Sequence, residues 1–153
     1  MCIAVNNPFF KNKPYTAMAT SGYSGTPLLK KLGIKPEMKV LVLHAPEDYF
    51  HLLEQDITAQ FIKGRQITGF IHLFAKDIAA FEKGMQKVLQ YAKANTSVIT
   101  WVSWYKKSAG IATDLNENII RDYALKNNLV DIKVCAVSEL WSGLKLVVPV
   151  AKR

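Results

Sequence analysis

VLVLHAPED, at residues 40–48, is the stretch of sequence that decides the fold. Residues 40–45 are almost all β-branched, leucine or alanine, which is typical of a strand covered on both faces. The Pro46-Glu47-Asp48 segment after it predicts the start of a helix that runs to about Glu54. A buried strand followed directly by a helix is the unit from which parallel sheets are built.

The same alternation of strands and helices continues along the chain. Strands are predicted at residues 59–63, 68–74, 97–104, 132–137 and 144–148. Helices are predicted at residues 26–31, at 78–94 after an Asp77 cap, and at 114–127 after an Asp114/Glu117 capping pair. The strand at 59–63 is the weakest and is expected toward an edge. The short connection at 138–143 permits antiparallel pairing but no helical crossover, so the last strand is expected to be antiparallel.

Length and composition favour one soluble domain. The chain has 153 residues, of which 50% are hydrophobic and 21% charged, as in ordinary globular proteins. Residues 1–19 are interpreted as an N-terminal tail without a secretory signal, and residues 20–153 as the α/β domain. No run approaches the roughly 20 apolar residues of a membrane span. Two cysteines, Cys2 and Cys135, form no disulfide framework, which favours the reducing cytoplasm.

The order of elements resembles the class I methyltransferase fold. The helical segment LLKKLGIKP, residues 28–36, runs straight into the first strand, and that fold also ends with an antiparallel strand. The resemblance implies a three-layer, Rossmann-like architecture with a mostly parallel sheet of five or six strands. It covers most of the chain from about Thr20.

The turn after the first strand departs from that family. Methyltransferases have a glycine-rich turn there that holds S-adenosylmethionine, whereas this chain has His44-Ala45-Pro46-Glu47-Asp48. Without glycine the backbone does not easily approach a cofactor or adopt a positive φ. The stretch between Lys63 and Thr68 is also too short for the strand and helix that complete the adenosine pocket. No cofactor is therefore predicted, and S-adenosylmethionine is not expected to bind.

Four blocks of sequence are similar to a bacterial family known as a domain of unknown function. The resemblance implies no activity. It suggests that Met18 is the natural start, which makes residues 1–17 an extension. The blocks are SGYSGTPL at 21–28, WVSWYKKS at 101–108, DLNEN at 114–118 and WSGLK at 141–145.

A ligand site is expected at the carboxyl ends of the parallel strands, where open α/β sheets bind their ligands. The loop from Tyr105 to Asp114 reads YKKSAGIATD and precedes a predicted helix. Helix amino termini favour anions, and lysines and hydroxyls add charge-assisted hydrogen bonds. The loop is either a phosphate or carboxylate site or a solvated loop in which Thr113 or Asp114 caps the helix. The predicted ligand-binding residues are Lys106, Lys107, Ser108, Thr113 and, in the loop at 138–143, Trp141.

Two other functional classes remain open. His44 beside Glu47 is a candidate acid–base pair for an enzyme of unknown type, because histidine titrates near neutral pH and a carboxylate orients its ring. His72 is predicted to be core and His51 surface. The three histidines are not at ligand spacing, so no metal site is predicted.

The formal net charge of +8 raises the possibility of a nucleic-acid-binding module, although scattered lysines also serve solubility. Trp101 and Trp104 are three residues apart, so on a strand they face opposite sides and form no common stacking platform. The leading hypothesis is a methyltransferase-like domain that lost its cofactor turn and binds a small anionic ligand or a protein partner.

Overall fold

A five-stranded mixed sheet forms the centre of the fold in the computed structural model, which describes residues 26–153. The predicted tail at 1–19 and the start of the domain lie outside the described residues. The strands are β1 Val40–Leu43, β2 Phe70–Phe74, β3 Ile99–Tyr105, β4 Val130–Ala136 and β5 Trp141–Val147. The helices are α1 Leu28–Leu32, α2 Tyr49–Leu53, α3 Ile78–Ala94 and α4 Glu117–Lys126. Short 3₁₀ turns occupy Thr58–Gln60, Lys107–Ala109 and Val150–Lys152.

The strand order is β1-β2-β3-β5-β4. β1, β2 and β3 are parallel, whereas β5 is antiparallel to both of its neighbours, β3 and β4. β4 therefore runs in the same direction as the first three strands. The α/β class and the antiparallel final strand are confirmed.

The prediction of a strand at residues 59–63 is wrong. The 3₁₀ turn Thr58–Gln60 covers the start of this segment, and a single parallel bridge joins Phe61 to Val40. Its polar groups bond elsewhere: the Gln60 carboxamide donates to the Lys35 carbonyl oxygen at 2.8 Å, and the Lys63 N–H donates to the Gln66 side chain at 2.8 Å. The segment nevertheless lies at an edge, on the outer side of β1.

Alternate residues of the strands contribute to two separate hydrophobic cores, because successive side chains point to opposite faces of a sheet. α1 and α2 cover one face, called the α1–α2 face below. α3 and α4 cover the other, called the α3–α4 face. The α1–α2 core includes Leu32, Tyr49, Phe50, Phe70, Phe74, Trp101 and Trp141. The α3–α4 core includes Ile71, Leu73, Phe81, Met85, Val102, Trp104, Ile120 and Leu144.

The helix caps agree with the prediction at α3 and differ at α4. The Asp77 carboxylate accepts the Ala80 N–H at 2.8 Å, which confirms the predicted cap. α4 is capped by Asn116, whose side chain accepts the Ile119 N–H at 3.0 Å, so the predicted Asp114/Glu117 pair is wrong. Asp114 instead accepts the backbone N–H of Ile78, the first residue of α3, at 2.8 Å.

Gly84 lets α3 approach the sheet closely. A Cβ placed on Gly84 would lie 2.4 Å from Leu73 Cδ1 and 2.9 Å from Leu73 Cδ2, and Leu73 is fully buried. We expect Gly84→Ala to destabilise the fold by about 1 kcal/mol, because overpacking costs about 1–3 kcal/mol and exceeds the helix-propensity gain of about 1 kcal/mol. Urea unfolding measures the change. Gly69→Ala, where the added Cβ meets nothing within 4 Å, is the control; a Gly84→Ala protein more stable than wild type would contradict this prediction.

Candidate functional site

The strand connections change direction between β1 and β2. From β1 the chain passes through α2 on the α1–α2 face and reaches Phe61, on the outer side of β1. From β2 it passes through α3 on the α3–α4 face and reaches β3, in the opposite direction. Two right-handed crossovers that move in opposite directions along a sheet cover opposite faces of it. The connections after β1 and after β2 follow this rule. Ligands of open α/β sheets bind at the carboxyl ends of strands beside such a reversal, so this edge is the candidate site.

Hydrogen bonds hold the loop after β3 against both of its neighbours at this edge. The Thr113 hydroxyl donates to the carbonyl oxygen of Lys76, just after β2, at 2.7 Å. The Lys106 N–H donates to the carbonyl oxygen of Leu140, in the turn between β4 and β5, at 2.9 Å. The predicted ligand loop is therefore fixed to the end of β2 on one side and to the β4–β5 turn on the other.

Three lysines lie on these connected segments. Lys76 and Lys107 are exposed, and Lys106 is half-buried. Within residues 26–153 none of the three forms an ion pair with a carboxylate. Their positive charge is therefore available to an anion at the carboxyl edge. Lys76 was not among the sequence candidates, although its place directly after a buried strand is a signal that points to this edge.

The hydroxyl of Thr113 already has two hydrogen-bond partners. It donates its single proton to the Lys76 carbonyl oxygen and accepts the Leu115 N–H at 3.1 Å. In this arrangement Thr113 fixes the loop and has no proton to donate to an anion. Ser108 lies exposed in the 3₁₀ turn Lys107–Ala109. Among the predicted ligand residues of this loop, Lys106, Lys107 and Ser108 are therefore the ones whose donors remain available.

Neither long helix offers its amino terminus to an anion. The carboxylates of Asp77 and Asp114 occupy the first turn of α3. At α4, Asn116 provides the cap and Glu117 places a further carboxylate in the first turn. Negative side chains at helix amino termini satisfy the unpaired N–H groups and repel a second anion. Lysine side chains, and not a helix dipole, would hold an anion here.

His44 occupies a left-handed backbone conformation at the end of β1, with φ 58°. Such conformations are uncommon outside glycine, and histidine is enriched among the exceptions. The expectation that this glycine-free turn avoids positive φ is therefore wrong. His44 and Glu47 are both exposed, and no hydrogen bond joins them within the described residues. Glu54 and Asn128 also have positive φ, both at helix ends, so the backbone of His44 does not by itself indicate catalysis.

A buried hydrogen-bond chain links Tyr49, His72 and Ser103 on the α1–α2 face. The Tyr49 hydroxyl lies 2.9 Å from His72 Nδ1, and the Ser103 hydroxyl lies 2.7 Å from His72 Nε2. All three residues are fully buried, and the His72 ring stacks on Phe74 with centroids 4.2 Å apart. The prediction that His72 is core is confirmed. Its partners were missed, because they come from elements far away in sequence.

Burial fixes the ionisation of this chain. Desolvation lowers the pKa of His72 to about 3 and raises the pKa of Tyr49. At neutral pH the imidazole is therefore neutral, with one ring nitrogen donating and the other accepting. The three side chains hold three protons for two hydrogen bonds, so one hydroxyl proton points away from the chain. Full burial makes these groups structural and keeps them out of contact with a ligand.

Aromatic rings connect this buried chain to the carboxyl edge. Trp141 packs edge-on against Phe74, with centroids 5.0 Å apart, and stacks on Tyr105 at 4.3 Å. Trp141 was expected in a loop but begins β5, and it is only 5% exposed. Tyr105 is half-buried and stands at the end of β3, directly before the two lysines. Trp101 and Trp104 belong to different cores, which confirms that they face opposite sides of the sheet.

A concavity lies at the amino edge of the sheet. It is an open cleft of about 340 Å³ between the carboxyl ends of α3 and α4, with Lys93 and Lys126 on its rim and Leu129 and Val148 among its apolar residues. Two lysines beside an apolar floor also suit an anionic ligand. The cleft is therefore the rival location for anion binding.

Between residues 26 and 153, no group of three or more histidine, cysteine, aspartate or glutamate side chains is placed to hold a metal ion. In the same range, no helix has both the length and the apolar character needed to cross a membrane.

Comparison with known proteins assigns no function to the chain. No family model matches it, and no curated protein matches it. A solved structure described as a protein in the NADB-Rossmann superfamily from Streptococcus agalactiae aligns over 80% of this chain and 68% of its own. The TM-score is 0.45 and the sequence identity is 7%, values at which the likeness carries no argument about fold or function.

Proposed function

We propose that this chain is a cytoplasmic, three-layer Rossmann-like domain, related in architecture to class I methyltransferases, that binds a small anionic ligand. The ligand lies at the carboxyl edge of β1, β2 and β3, against Lys76, Lys106 and Lys107. One observation carries the proposal: these three ammonium groups have no carboxylate partner within residues 26–153 and lie on segments tied together beside the direction change of the sheet.

S-adenosylmethionine does not fit this proposal. The turn after β1 places the His44 side chain where a glycine would let a cofactor approach the backbone. Beyond β1 the chain offers a single bridge at Phe61 rather than a full strand whose end would line an adenosine pocket. The proposed ligand is therefore recognised by its negative charge, through charge-assisted hydrogen bonds.

Replacing the two loop lysines is expected to abolish most anion binding. A ligand at a hundred times its Kd adds about 2.7 kcal/mol to the stability of the folded chain, which raises Tm by roughly 5–10 °C at this size. Thermal denaturation with phosphate, pyrophosphate, ADP and S-adenosylmethionine identifies the anions that bind. We expect pyrophosphate to stabilise the wild-type protein, and Lys106→Gln with Lys107→Gln to weaken that binding at least about tenfold, since hydrogen bonds to charged groups contribute about 1.5–3 kcal/mol each.

Two double variants with the same loss of charge serve as controls. Lys83→Gln with Lys87→Gln removes two exposed lysines of α3 and should leave pyrophosphate binding unchanged. Lys93→Gln with Lys126→Gln removes the lysines of the amino-edge cleft and should also leave it unchanged. Loss of binding in the cleft variant alone would move the ligand to the other edge and refute the proposal. Binding of no small anion would favour a protein partner, and salt-sensitive retention of single-stranded nucleic acid would favour the third class.

A further inference from the structure

Tyr105 presents a supported aromatic ring at the carboxyl edge. It is the last residue of β3, and Trp141 covers one side of its ring in a near-parallel stack, with centroids 4.3 Å apart and planes 25° from parallel. The residue remains half-buried, so part of its surface faces outward. Its hydroxyl makes no hydrogen bond within the part of the chain that the structure describes. Tyr105 packs against the border of the α1–α2 core, so its exposed surface lies where that core meets the carboxyl edge.

The support beneath Tyr105 is rigid. Trp141 is almost fully buried, its backbone N–H donates to the Ser138 hydroxyl at 3.2 Å, and its ring packs at about a right angle to Phe74. Phe74 in turn stacks on His72, which is bonded on both sides. An aromatic surface that is already fixed loses little conformational entropy when a second ring stacks on it.

The ring and the lysines follow one another in the chain. Lys106 and Lys107 come directly after Tyr105, and the bond from Lys106 N–H to Leu140 fixes the start of this loop. A stacking surface next to positive charge is the arrangement by which proteins bind the flat base and the phosphates of nucleotides. Phosphate or carboxylate alone would use the charge and leave the ring unused.

We infer that the anionic ligand carries a planar aromatic or heteroaromatic ring that stacks on Tyr105, as a nucleotide does. This inference rests on the proposed function and adds the chemical class of the ligand. The ring stacks on Tyr105 while the anionic group is held by Lys106 and Lys107. Base–aromatic stacking contributes enough to raise affinity by about fivefold or more.

Calorimetry with three probes tests the inference. ADP and phenyl phosphate each join a ring to an anion, and pyrophosphate has the charge without the ring. We expect wild-type protein to bind ADP at least about fivefold more tightly than pyrophosphate. Tyr105→Leu should remove this difference and leave pyrophosphate affinity within about twofold, whereas Tyr105→Phe should keep it. Phenyl phosphate binding as tightly as ADP would indicate an aryl anion in place of a nucleotide.

Controls separate the two proposals. Tyr91→Leu removes another partly exposed tyrosine, near the far end of α3, and should preserve the preference for ADP. Tyr105→Ile, which suits a strand, replaces Tyr105→Leu if that variant does not fold. Equal affinity of the wild-type protein for ADP and pyrophosphate would overturn the stacking inference and leave the lysine site intact. A preference for ADP that survives Tyr105→Leu would have the same consequence. Failure of every probe to bind would overturn both.

Discussion

Lowering the pH from 6.5 to 4 is expected to reduce the free energy of unfolding by about 3 kcal/mol through His72 alone. The imidazole is fully buried, and desolvation lowers its pKa from 6.5 to about 3. In the unfolded chain the same ring has its ordinary pKa. The folded state therefore excludes a proton that the unfolded state binds throughout this range of pH.

The direction of the effect follows from that difference in proton binding. Below pH 6.5 the unfolded state gains a proton that the folded state does not, so stability falls by about 1.4 kcal/mol per pH unit. The fall ends near pH 3, where His72 also becomes protonated in the folded chain. Above about pH 7.5 neither state is protonated to a significant extent, and His72 contributes almost no pH dependence. Protonation would also remove the ring nitrogen that accepts a hydrogen bond from Tyr49 or Ser103.

A comparison of variants isolates this contribution from that of the carboxylates. Urea unfolding of the wild-type protein and of His72→Gln is measured at several values between pH 7 and pH 4. His72→Gln should be less stable at pH 7, because a carboxamide does not replace the buried imidazole ring that stacks on Phe74. Its stability should fall less steeply toward acid. His44→Gln removes an exposed imidazole and should follow the wild-type slope. Identical slopes for wild type and His72→Gln would show that His72 is not held neutral by burial.

Local sequence patterns predicted the elements whose contacts are also local. The spacing of apolar residues by three and four, together with the Asp77 cap, predicted α3 because a helix is stabilised by neighbours within one or two turns. The apolar runs at 68–74 and 97–104 predicted β2 and β3 for the same reason. The segment at 59–63 also has strand-like composition, but a strand requires a partner along its whole length, and here only Phe61 reaches one.

The features that shape the candidate site depend on residues far apart in sequence. Ser103 meets His72 across 31 positions, Asp114 caps α3 across 36, and Thr113 reaches the Lys76 carbonyl across 37. A capping pattern shows which side chains are able to cap, but not which helix they will meet. The sequence therefore predicted the edge of the sheet and the loop that line the site. It did not predict Lys76 or the hydrogen bond from the Thr113 hydroxyl to the Lys76 carbonyl oxygen.

Trp101→Ala is expected to destabilise the fold by about 3–5 kcal/mol, the usual cost of removing a large buried aromatic side chain. Trp101 is fully buried in the α1–α2 core, and its indole N–H donates to the Leu32 carbonyl oxygen at 2.9 Å. That bond joins the last residue of α1 to the centre of β3. Removing the indole leaves both a cavity and an unpaired carbonyl group.

Gly143, on the neighbouring strand β5, lies beside the space that the Trp101 indole fills. A Cβ on Gly143 would lie 3.2 Å from Trp101 Cε3 and 3.0 Å from Val137 Cγ2, closer than ordinary packing allows. Gly143→Ala alone should therefore cost about 1–3 kcal/mol. In the Trp101→Ala background the new methyl group enters the vacated volume and meets only Val137. The double variant should be more stable than the sum of the two single losses predicts, by about 1 kcal/mol.

A double-mutant cycle by urea unfolding measures this coupling. The matched cycle combines Gly143→Ala with Phe81→Ala, which empties a fully buried aromatic position in the α3–α4 core. Phe81 packs on the other face and shares no contact with Gly143, so its cycle should be additive within about 0.5 kcal/mol. If the Trp101 cycle were equally additive, the indole would not limit the space at Gly143. The close approach of β5 to β3 would then depend on Val137 alone.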